Sequence, residues 1–141
     1  MKRRSAQLRG NPDATMASAR ATLQAVYVEA PEGQGRMLRT RQAAEKVWLA
    51  ASTAADAMTG PVSSGAGVFD AFRRAWGTEG ETVARNIEAA LHRGCFYSDA
   101  SACDANYVRG HADKLKVLLN KRPIRDRQIR RRLEQMTQVG R

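Results

Sequence analysis

Arg85, Asn86 and His92 fall within residues 82–97, TVARNIEAALHRGCFY. A guanidinium can hold a phosphate, and an imidazole can take or give a proton near neutral pH. Together they are a minimal kit for cleaving RNA. Arg85 and His92 are seven positions apart. At the α-helical step their side chains lie about 20° apart on one face, two turns distant. The spacing alone is weak. With 19 arginines and two histidines, composition places an arginine five to seven residues before a histidine in roughly one random arrangement of two. The plain alternative is a solvated helix face with ion pairs among Arg85, Glu88 and His92.

The surrounding helix gives the pair its weight. Thr78 and Glu81 have capping-box spacing and open it. Val83, Ala84, Ile87, Ala90 and Leu91 form its apolar arc. Arg85, Glu88 and His92 lie on the other arc, turned away from their own subunit's core. Gly94 closes the helix, and residues 95–100 read as loop.

The rest of the chain predicts an all-α fold of about five to six helices. Its 141 residues suit one domain, and a 43% hydrophobic content rich in alanine favours closely packed helices. Asn11-Pro12 starts a first helix running to about residue 30. Pro31 and the glycines of PEGQG break it. A second helix, about 36–59, carries the strongest core stripe: Ala44, Val47, Trp48, Ala51, Ala54, Ala55 and Met58. The stretch PVSSGAG reads as loop, and a short helix over 68–76 turns Phe69, Phe72 and Trp76 inward. Ser101 and Asp104 have capping-box spacing before a helix at about 102–121. On it Val108, His111, Leu115 and Leu118 share a face. Pro123 starts a basic last helix with an apolar seam of Ile129, Leu133 and Met136.

Arg85-Asn86 followed by His92 resembles the motif of the HEPN superfamily of helical bundles. In that motif an arginine, commonly followed by a polar residue, precedes a histidine by four to six intervening residues; here there are six. Residues 41–58, RQAAEKVWLAASTAADAM, are similar to the second helix of small prokaryotic members, and 89–97, AALHRGCFY, to their LH…FY segment. The resemblance spans about residues 13–120. It implies an up-and-down bundle of HEPN type and, in many members, metal-independent endoribonuclease activity. His92 would then be the general base toward a ribose 2′-OH. Arg85 would stabilise the phosphorane, and Asn86 would orient the pair or bind phosphate. The products would carry 2′,3′-cyclic phosphates. The family's site is composite across a homodimer. A toxin subgroup has a tyrosine two residues after the histidine, where this chain has Gly94; Tyr97 lies five after. Some small relatives lack the arginine. The alternative carried by the same resemblance is a non-catalytic module binding RNA, a nucleotide or a partner such as a nucleotidyltransferase.

Charge adds a second feature. Net charge is +10, yet residues 11–120 sum to zero. A basic N-terminal arm (1–10) contributes +4 and a basic C-terminal helix (121–141) +6, flanking a bundle at 11–120. Basic ends attract polyanions by counterion release. Arg125, Arg127, Arg130, Arg131 and Arg132 are the candidate RNA-backbone contacts. A third possibility is a structural helical partner whose basic ends dock on nucleic acid.

No metal and no cofactor is expected. His92, Cys95, Cys103 and His111 fall within twenty residues, but only His92 and Cys95 have ligand-like spacing. The GAG and GTEG stretches read as turns without a phosphate-loop lysine. Two cysteines make no disulfide framework, no apolar run is long enough to span a membrane, and the basic start lacks a following apolar stretch. The resulting expectation is a cytoplasmic protein.

Overall fold

A computed structural model describes residues 12–60, 64–97 and 103–124. Four α-helices and one π-helical segment make an all-helical bundle among these residues: α1 (Pro12–Glu29), α2 (Leu38–Thr59), α3 (Gly65–Ile87), the π segment (Glu88–Tyr97) and α4 (Ala105–Leu119). The expected basic helix with Arg125, Arg127, Arg130, Arg131 and Arg132 lies outside the described residues, as does the N-terminal arm.

Helix α2 is the hub, packing against α1, α3, the π segment and α4. Its sequence explains why. Ala43, Ala44, Ala50, Ala51, Ala54 and Ala55 are all fully buried. Small side chains on several faces let several neighbours approach at once. Larger groups from the surrounding helices fill the space between: Leu23, Val26, Phe72, Ile87, Leu91, Leu115 and Leu118.

Arginines fasten the helix ends. The last carbonyls of a helix lack intrahelical partners and carry the negative end of its dipole. Arg109 donates to the Tyr27 and Ala30 carbonyls at the end of α1, both at 3.2 Å. Arg20 donates to the Leu119 carbonyl of α4 at 2.9 Å. Arg41 donates to the Cys95 and Phe96 carbonyls of the π segment at 3.2 and 2.8 Å. Three arginines of the neutral middle are therefore structural.

Several boundaries differ from the sequence reading. The GAG stretch is not a turn: Gly65-Ala66-Gly67 begins α3, with Ser64 as its N-cap accepting from the Gly67 N–H at 3.3 Å. The expected break before Thr78 is present as a kink, because Gly77 sits at φ 71°. Helix α4 starts three residues after the expected point. Asp104 caps it, accepting from the Tyr107 N–H at 2.8 Å, where a cap at Ser101 was expected.

The largest correction concerns the helix meant to carry both Arg85 and His92. It is α-helical only to Ile87, and from Glu88 it winds as a π-helix to Tyr97. Gly94 does not end it. A Cβ at Gly94 would lie 3.0 Å from the Ala89 carbonyl, so the small residue serves close approach inside the wide turn. The two cysteines are also bonded to each other. Cys95 and Cys103, both buried, form a disulfide that ties the end of the π segment to the start of α4.

Candidate functional site

A stripe along α2 receives the π segment. Arg41, Glu45, Trp48 and Ser52 recur at helical spacing on one face. Arg41 takes the carbonyls at the segment's end. Glu45 Oε2 lies 2.7 Å from His92 Nδ1. The Trp48 indole stacks on the His92 ring, centroids 5.3 Å apart and planes 28° apart. An ionised carboxylate only accepts, so Nδ1 carries the proton and Nε2 is the nitrogen with base character.

His92 is therefore not turned out to solvent as the sequence suggested. Its side chain is 23% exposed and rests against its own subunit. The physical reason is the π segment: its i→i+5 bonds widen the turn, so the α-helical step does not apply past Ile87. The expected ion pairs among Arg85, Glu88 and His92 are also replaced. Arg85 pairs with Glu81 at 3.3 Å, Arg93 with Glu88 at 2.8 Å, and His92 with Glu45.

Arg85 is 59% exposed, and its guanidinium lies 4.6 Å from the centroid of the Phe69 ring. Phe69 in turn neighbours Trp48, centroids 6.3 Å apart. A continuous path of touching groups thus runs from Arg85 through Phe69 and Trp48 to His92 and Glu45. Asn86 is exposed beside Arg85. A cavity of about 300 Å3 opens where α2, the start of α3 and the π segment meet. Its lining includes Trp48, Ser52, Ser64, Val68, Glu88 and His92. A larger cavity of about 910 Å3, lined in part by Met16, Arg20, Met58, Trp76 and Arg122, holds none of the three sequence candidates.

The four possible zinc ligands do not converge. Both cysteine sulfurs are in the disulfide, His92 packs on α2, and His111 packs edge-on against Tyr107 at 5.0 Å. Among the described residues no group of three or more His, Cys, Asp or Glu is placed to hold a metal ion. Burial, and then the charge of Lys114, push the His111 imidazole below its ordinary value. Burial, followed by the hydrogen bond to Asp113, raises the Tyr27 hydroxyl well above the usual tyrosine range.

Glu45, Trp48, Ser52 and Glu88 were missed as site residues. Trp48 and its neighbours read as core, and Glu45 entered only as part of the segment 41–58. The available signal was the polar stripe Arg41, Glu45, Ser52 running beside the apolar one. No family model, no curated protein and no solved structure matches the chain.

Proposed function

We propose that the chain is a HEPN-type endoribonuclease acting through Arg85 and His92, toxin-like in character. The reading rests on the motif resemblance. The observation that supports it most is His92, fixed by Glu45 at 2.7 Å beside a cavity, with an exposed arginine two rings away.

A carboxylate on Nδ1 sets the tautomer and steadies the ring, as an orienting acid does in other base-assisted reactions. His92 Nε2 would accept the proton of a ribose 2′-OH. The 2′-oxygen then bonds to phosphorus, the bond from phosphorus to the 5′-oxygen breaks, and the leaving oxygen takes up a proton. The products are a 2′,3′-cyclic phosphate and a 5′-OH. Arg85 would face the charge that builds on the phosphorane. Its exposure suits a composite site in which a second protomer brings its own pair, and Asn86 would assist phosphate binding there. The arginines of residues 125–141 would hold the RNA backbone.

One observation favours the alternative, a non-catalytic module binding RNA, a nucleotide or a partner such as a nucleotidyltransferase. Glu45 and Glu88 put two carboxylates around His92, which disfavours a phosphate there. Location is a proposal as well. Among the described residues no helix is long and apolar enough to cross a membrane. The Cys95–Cys103 bond counts against the expected cytoplasmic setting, because reducing compartments keep thiols free.

The test is incubation with total RNA in EDTA, alongside His92→Ala and Arg85→Ala. Cleavage that both substitutions abolish supports the enzyme. Equal cleavage by all three proteins refutes the assigned site. Salt-sensitive binding without cleavage favours the module.

A further inference from the structure

The cavity beside His92 presents hydrogen-bonding groups that phosphoryl chemistry leaves unused. Glu88 lines it, its side chain 17% exposed. Its carboxylate accepts only. Arg93 Nε lies 2.8 and 2.9 Å from its two oxygens, and each oxygen keeps a further lone pair. Ser52 Oγ donates its one proton to the Trp48 carbonyl at 3.0 Å, so toward the cavity it is an acceptor. Ser64 Oγ accepts from the Gly67 N–H at 3.3 Å, and its O–H is a donor. With His92 Nε2 set aside for the 2′-OH, the lining offers two accepting groups, the Glu88 carboxylate and Ser52 Oγ, and one donating group, Ser64.

Trp48 and Val68 add apolar walls, and about 300 Å3 suits a single small ring system. The four RNA bases differ in what their pairing edges would bring. Adenine offers one donor and one acceptor. Cytosine and uracil each offer one donor and two acceptors. Guanine alone offers two donors, N1–H and the 2-amino group, and one acceptor, O6. The Glu88 carboxylate, though paired with Arg93, can only accept, so a base that turns a lone pair toward it sets acceptor against acceptor and is rejected.

The geometry points to a guanine-binding pocket, holding the unpaired base of the nucleotide whose 2′-OH His92 activates. Glu88 and Ser52 take the N1–H and 2-amino donors, and Ser64 donates to O6. This rests on the ribonuclease reading for the position of the cut, while recognition of the base can be measured without any cleavage.

The test uses DNA oligomers carrying one ribonucleotide, so that only one 2′-OH is present. Cleavage at riboguanosine should exceed that at riboadenosine, ribocytidine and ribouridine by about tenfold or more in kcat/KM. Riboinosine, which lacks the 2-amino donor, should be cut more slowly than riboguanosine, with no change to the protein. Glu88→Gln, with its fold checked by circular dichroism, should bring the four bases within about threefold of one another. Equal cleavage of all four by the native chain overturns the proposal, as does a guanine preference that Glu88→Gln leaves intact. If no oligomer is cut, the ribonuclease reading fails, and calorimetry with guanosine and adenosine 3′-monophosphates decides the pocket. Tighter guanosine binding that Glu88→Gln weakens sustains it. Equal binding, or none, overturns it.

Discussion

His92 sits between a carboxylate and an indole, and that setting decides what the residue can do. Glu45 fixes the proton on Nδ1, and Trp48 covers one face of the ring. If His92 is the base, Glu45→Gln removes the charge that steadies the imidazolium. RNA cleavage should then fall about tenfold or more in kcat, with KM little changed. A KM rise at constant kcat would count against a positioning role for Glu45. The second histidine makes a separate prediction about stability. His111 is held below its ordinary value of 6.5 by burial and by Lys114. The unfolded chain therefore binds the proton more readily than the folded one, and stability rises with pH through this window. The contribution is complete above 6.5 and is lost as pH falls toward the lowered folded value. Urea midpoints should decline on that side, and His111→Leu should flatten the decline. The residue types were legible in the sequence: arginine, histidine and the acids stand out by chemistry. Which acid meets which base was not, because Glu45 and His92 are 47 positions apart and meet only through packing.

At the level of elements, the π segment carries the site and two features fix it. Arg41 occupies the carbonyls at its end, and the Cys95–Cys103 bond ties that end to α4. The cysteines are eight positions apart. Chain-entropy reasoning gives a loop that short about 2–3 kcal/mol of stabilisation. Cys95→Ser with Cys103→Ser should lower the unfolding free energy by that amount, read from urea denaturation. An unchanged midpoint would mean that the bond carries none of the fold. The kink at Gly77 sets the entry to the same region. Just beyond it, a Cβ at Gly80 would come 2.6 Å from the Phe72 carbonyl and 2.8 Å from Trp76 Cβ. Neither neighbour is the tip of a flexible side chain. Gly80→Ala should therefore cost about 1–3 kcal/mol, with a matching drop in Tm. Helices α1 and α2 were legible almost residue for residue, because each has a clear apolar period and a proline or glycine near its ends. The π segment was not. Its sequence keeps an α-like apolar pattern, and nothing in the local spacing marks the change of winding at Glu88.

For the whole molecule, the separation of charge is the main feature. The middle sums to zero and the ends are basic. Within the middle, Arg20, Arg41 and Arg109 cap neighbouring helices and are not available as a nucleic-acid surface. The other cations of the middle are balanced by an equal number of acids overall, so non-specific polyanion binding should depend mainly on the ends. Deleting residues 125–141 removes six arginines. It should make the slope of log K against log salt shallower by about 0.7 for each phosphate that is no longer neutralised on single-stranded RNA. Fluorescence anisotropy at several salt concentrations measures this, and an unchanged slope would place RNA binding elsewhere. The helical class, the positions of α1 and α2 and the basic ends follow from local periodicity and composition, so the order of residues was enough to read them. Packing had to supply the rest: that His92 turns inward to Glu45 and Trp48, that Cys95 joins Cys103, and that a small polar cavity opens beside them. Those facts depend on groups far apart in the chain, and local spacing carries no information about which distant side chains packing will bring together.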